Sequence, residues 1–144
     1  MKRTPVDIYS PNEGTPQVDT QEPAPKVSNL ACVDPEAMLA PGVEIGPFCV
    51  IGPKAKIGRN TKLINNVTIL GDVTLGEDNI VSPGAVLGGA PQDISYRGTE
   101  TKVVIGDRNV IRECVTINRA TVKEDHYTRV GSDCYFMGNV HIAH

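Results

Sequence analysis

The sequence predicts an all-β protein, a parallel β-helix wound from six-residue units. Every sixth residue from Val33 to Leu87 is aliphatic: Val33, Leu39, Ile45, Ile51, Ile57, Leu63, Ile69, Leu75, Val81 and Leu87. Two residues before each of these, from Ala31 through Val43, Cys49, Thr61 and Asn79 to Ala85, most residues are small or β-branched. A period of six matches neither the helical repeat of about 3.6 nor the strand alternation of about two, so a turn must recur inside each period. Each unit is then a short strand plus a corner, and three units close one triangular coil. The two inward positions share a face because side chains two apart on a strand point the same way. Gly46, Gly52, Gly58, Gly76 and Gly88 directly follow an aliphatic and are expected at corners whose dihedrals other residues avoid. A β-sandwich would repeat its strand and turn signals at about 8–12 residues.

Composition agrees with a narrow core. The 144 residues contain no Trp, two Phe and four Tyr, and small aliphatic side chains stack where aromatic rings would not. A net charge of −3 argues against nucleic acid as a partner, since such proteins usually carry a basic balance. Neither a secretory apolar segment nor a run of about 20 apolar residues is present, which predicts a cytoplasmic protein without a membrane span. Cys32, Cys49, Cys114 and Cys134 form no CxxC pair. Free buried thiols in a reducing compartment are expected, with Cys49 and Cys134 in small inward slots.

Along the chain, residues 1–30 hold Pro5, Pro11, Pro16, Pro23 and Pro25 with few large apolar residues. They are expected to form a disordered leader, with the β-helix domain over 31–144. The repeat breaks after Leu87, resumes at Val103-Val104-Ile105-Gly106, continues through Ile111 and Ile117, breaks again over 118–128 and resumes from Val130 through Phe136 and Ile142. The steps from Leu87 to Ile105 and from Ile117 to Val130 span 18 and 13 residues. In the first, the six-residue positions are Asp93 and Thr99, neither a core residue. A stacked coil can eject extra chain only outward, and such loops commonly carry function.

Three histidines can carry chemistry. His126 lies among charged neighbours in the second break and is expected to be exposed. His141 and His144 belong to Val140-His141-Ile142-Ala143-His144. With Ile142 inward, His141 points outward and His144 falls near a corner. An imidazole titrating near neutrality can take the proton of a hydroxyl as that oxygen attacks an acyl carbonyl.

The segment from Ile105-Gly106-Asp107-Arg108-Asn109 through Arg112-Glu113 and Val115-Thr116-Ile117-Asn118-Arg119, with Pro91-Gln92-Asp93 before it and His141-Ile142-Ala143-His144 after it, resembles the UDP-N-acetylglucosamine acyltransferases over residues 29–144. The resemblance implies a left-handed parallel β-helix, an exception to right-handed crossover, and a homotrimer with sites between subunits. It implies transfer of an (R)-3-hydroxyacyl group from acyl carrier protein to the 3-hydroxyl of UDP-N-acetylglucosamine, the first step of lipid A biosynthesis. In that reading His144 is the general base, His141 contacts substrate, and Asp93, with Gln92 beside it, holds sugar hydroxyls. Arg112, Arg119 and Lys123 are candidates to meet the acidic carrier protein. No cofactor or metal is implied.

Three departures accompany the resemblance. Ser95 stands where the family usually has lysine, so one phosphate or sugar contact is either lost or supplied by Arg97. The leader has no counterpart. The chain stops at His144, where the family continues with an aspartate, further coils and a helical domain. Two other readings are an inert β-helix fragment and a γ-class carbonic anhydrase-like protein using His126, His141 and His144 on zinc.

Overall fold

The computed structural model describes residues 22–123 and 125–143. Within them the chain forms seventeen short strands and no helix. All pairing is parallel, in three sheets of six, six and five strands, which are the three sides of a left-handed prism. Partners in uninterrupted coils lie 18 residues apart, as in Lys26↔Glu44, Val50↔Thr68 and Ile57↔Leu75, so one coil is three hexads.

The aliphatic series faces inward throughout. Ile45 to Leu87 are buried, and Ile105, Ile111 and Ile117 continue the stack at 1% exposure or less. Val33 and Leu39 at one end, and Val130, Phe136 and Ile142 at the other, are half-buried against the same core because only one neighbouring coil covers them. Coiling begins earlier than the sequence suggested. Strand Lys26–Val27 pairs with Glu44–Ile45, within the segment assigned to the leader, and Val27 extends the six-residue series back by one. The rest of the expected disordered leader, residues 1–21, lies outside the described residues.

The second inward position differs among the three sides. On the second side it holds Cys49, Val67, Ala85 and Val115, and on the third Ala55, Val73 and Val103, all buried. On the first side the slots hold Val43, Thr61, Asn79 and Asn109, then Cys134, and the polar members bond from coil to coil. The Thr61 hydroxyl donates to the Gly76 carbonyl and accepts from the Asn79 N–H. Asn79 Nδ2 donates to the Gly106 carbonyl at 2.9 Å while its Oδ1 accepts from the Asn109 N–H at 2.9 Å. Asn109 repeats this with the Gly131 carbonyl and the Cys134 N–H. Both asparagines are fully buried with their amide groups bonded, which removes the cost of burying them.

The corners differ from expectation. Left-handed dihedrals fall three residues before the inward aliphatic, at Gly42, Phe48, Asn60, Asn66, Asp78, Gly84, Arg108, Cys114, Asp133 and Asn139. Asn and Asp tolerate that region best after glycine. Of the glycines assigned to corners, Gly88 alone has positive φ. Gly46, Gly58 and Gly76 are required by stacking: a Cβ on Gly58 would stand 2.5 Å from the Gly76 carbonyl carbon, and one on Gly46 would overlap the Ile64 carbonyl, whereas one on Gly52 would meet only the Ile69 carbonyl oxygen, at 3.3 Å. The four cysteines are free, as expected, but only Cys49 is buried, Cys134 is half-buried, and Cys32 and Cys114 are exposed. Cys32 lies on an outward strand position and Cys114 at a left-handed corner. Burial pushes the Cys49 thiol pKa up.

Candidate functional site

Both breaks in the repeat leave the prism at the same corner. Across the first, partners are 30 residues apart, Val73↔Val103 on the third side and Val86↔Thr116 on the second. Across the second they are 25 apart, Val103↔Thr128 and Thr116↔His141. Each excess over 18 is thus ejected between a second-side strand and the next third-side strand, on successive coils. The first loop follows strand Val86–Gly89 and the second follows Thr116–Asn118, so one loop lies directly over the other.

Their roots are joined. Asn118 Nδ2 donates to the Ala90 carbonyl at 2.7 Å, the Arg119 N–H donates to the Gly89 carbonyl at 2.8 Å, and Arg119 Nε donates to the Gly88 carbonyl at 3.0 Å. Pro91, Ala120 and Thr121 are buried between them. Arg119 also lies along Gly71 and lines a cleft of about 240 Å³ with Lys54, Asp72, Glu100 and Thr101. The buried Thr101 and Thr128 hydroxyls have no partner among the described residues.

Asp93 is the best-held residue of the first loop. Its Oδ1 accepts from the Ser95 N–H at 2.8 Å and the Ser95 hydroxyl at 2.6 Å, and its Oδ2 accepts from Lys123 Nζ at 2.7 Å. The Lys123 ammonium first, then the two Ser95 donors, hold the Asp93 pKa well below the usual carboxylate range. Ser95 therefore caps the aspartate. Arg97 donates to the Ile94 and Tyr96 carbonyls and braces its own loop. Gln92 is exposed on the same loop.

His141 lies on the outer face of the second side, as its position before Ile142 suggests, with Nδ1 2.6 Å from Thr116 Oγ1. Strand His141–Ile142 continues the stack whose two lower members feed the loops, so it runs toward the loop corner. His144 lies outside the described residues. His126 is exposed, with Nδ1 3.4 Å from the Glu100 carbonyl, and shares no partner with His141.

The three residues expected to meet a carrier protein do not form one patch. Arg112 lies on the first side's exit, bonded to the Glu113 carboxylate and the Tyr135 hydroxyl. Arg119 is at the loop roots, and Lys123 is bound to Asp93. The inter-loop role of Lys123 had no sequence signal, because its partner stands thirty positions away.

The coil of hexads and the loops thrown from one corner define a class: the bacterial transferase hexapeptide (six repeats) family matches residues 54–89. An acyl-[acyl-carrier-protein]--UDP-N-acetylglucosamine O-acyltransferase of Herminiimonas arsenicoxydans is 53% identical over 82% of this chain and 45% of its own length. One of the same name from Polynucleobacter asymbioticus is 55% identical over 83% and 45%. A UDP-N-acetylglucosamine acyltransferase structure from Bacteroides fragilis superimposes with TM-score 0.80 at 44% identity, covering 82% of this chain and 46% of that one. Over most of its length the chain matches the N-terminal portion of UDP-N-acetylglucosamine acyltransferases. It spans about half the length of the curated relatives it matches.

Proposed function

We propose that this chain forms the nucleotide-sugar-facing part of an O-acyltransferase that moves an (R)-3-hydroxyacyl group from acyl carrier protein to the 3-hydroxyl of UDP-N-acetylglucosamine, opening lipid A biosynthesis in the cytoplasm. The observation that carries this reading is convergence: the Gln92-Asp93 loop, the Lys123 loop and the strand that begins at His141 all meet one corner of the prism. The names of the relatives supply the reaction.

In this reading Asp93 is ionised and accepts a hydrogen bond from a glucosamine hydroxyl, which orients the sugar. His144 removes the 3-hydroxyl proton as that oxygen attacks the thioester carbonyl. Collapse of the tetrahedral intermediate forms the ester and expels the carrier thiol, which takes up the proton. His141 is a substrate contact, its ring orientation set by Thr116. The outer face of the second side, Cys32, Val50, Thr68, Val86, Thr116 and His141, carries no acidic or Lys/Arg residue. It suits packing against another copy in a homotrimer.

The test is acyl transfer from a hydroxyacyl carrier protein to UDP-N-acetylglucosamine, measured on the whole protein. His144→Ala should lower turnover by about 10²–10⁴-fold with nucleotide-sugar binding retained. Unchanged turnover moves the base elsewhere, and activity confined to another acceptor refutes the substrate.

A further inference from the structure

Asp93 and Lys123 are unequal partners. The Asp93 side chain is 12% exposed and that of Lys123 67%, so the carboxylate is enclosed while the ammonium reaches it from the solvent side. Exposed ion pairs contribute little, because ordering two long side chains offsets a screened attraction. This pair differs, since its carboxylate already carries two bonds from Ser95 and rides on a loop whose root is pinned to the loop bearing Lys123. An ionised carboxylate has about four acceptor sites. Three are occupied, and one remains for an incoming hydroxyl.

We infer that Lys123 is a positioning residue of the nucleotide-sugar site: from the neighbouring loop it fixes the Asp93 carboxylate in the rotamer that leaves one lone pair open to a sugar hydroxyl. This rests on the proposed function. Ser95 bonds only Oδ1, so without Lys123 the carboxylate keeps a single anchor and can swing about it. Oδ2 then loses its fixed direction. The assignment also replaces the expectation that Lys123 serves the carrier protein.

The experiment uses the full chain with two probes, UDP-N-acetylglucosamine and UDP, by calorimetry, together with a carbon-13 titration of the Asp93 carboxyl. Lys123→Met should weaken UDP-N-acetylglucosamine about tenfold, the size expected for losing an oriented charge-assisted hydrogen bond. UDP affinity should stay unchanged, because UDP lacks the N-acetylglucosamine. Lys123→Arg should restore much of the loss. The Asp93 titration should move up toward the ordinary carboxylate range in Lys123→Met and remain low in Lys123→Arg. Unimpaired UDP-N-acetylglucosamine binding by Lys123→Met, or an unmoved Asp93 titration, overturns the role of Lys123 alone. A wild-type chain that binds neither probe overturns the functional reading and the sugar-site assignment with it.

Discussion

The interior of the prism and the corner that throws the two loops are built by opposite means. Inside, each residue's environment repeats every six positions, and a side chain meets the equivalent residue of the coil above and below. At the corner nothing repeats, and the contacts that matter join residues about thirty positions apart: Lys123 to Asp93, Asn118 to Ala90, Arg119 to Gly88. Redundancy thus makes the scaffold stable, and the corner, relieved of core packing, can carry polar groups.

That contrast predicts a gradient of mutational effects. Ile57→Asp places an unpaired charge in a middle coil where Ile57 is 3% exposed, and the loss should exceed about 4 kcal/mol, enough to abolish cooperative thermal unfolding. Asn79→Ala orphans the Gly106 carbonyl and the Asn109 N–H together, and should cost about 2–4 kcal/mol in a denaturant titration. Gly58→Ala forces a methyl against the next coil's backbone and should cost about 1–3 kcal/mol. Gly98→Ala, in the first loop with no atom near the added carbon, should cost less, about 1 kcal/mol, from its positive φ alone. A Gly98 effect equal to that of Gly58 would break the comparison.

The smallest effect on global stability, and the sharpest on the loops, belongs to Asp93. Its folded pKa lies below its unfolded value, so its contribution to loop closure is complete above roughly pH 3.9 and is lost as pH falls through the folded value. Pepsin cleavage within residues 88–100 at about pH 3 should therefore be slow in the wild type and faster in Lys123→Met, with little change in melting midpoint. Equal cleavage rates would show that the loops are pinned at their roots only.

The same contrast explains what the sequence revealed. The inward series from Ile45 to Leu87 was readable because its cause is local and periodic. The loops were readable as interruptions of that period. Their shared corner was not obvious, because an 18-residue step from Leu87 to Ile105 equals a full coil in length, and only the register shows it to be a single corner. The corner dihedrals were misplaced for a related reason. Glycine has two uses, and at Gly46, Gly58 and Gly76 it provides closeness between backbones, while the left-handed positions accept residues as unlike turn formers as Phe48 and Arg108. The Lys123–Asp93 contact was hidden because charge pairs carry no period.

The polar ladder through Thr61, Asn79 and Asn109 bears on how such a chain finds its winding. A string of near-identical hexads can be wound with its units displaced by one or two sides at little loss of aliphatic contact, and every displaced winding competes with the native one. With the ladder confined to one side, a displacement by six residues stacks Asn79 on slots such as Ala55 or Val67 in place of Thr61, and the Asn79 N–H loses the hydroxyl that accepts from it. The buried asparagines thus act as a phase mark on an otherwise degenerate thread, turning a six-residue repeat into an eighteen-residue one for the search that precedes folding.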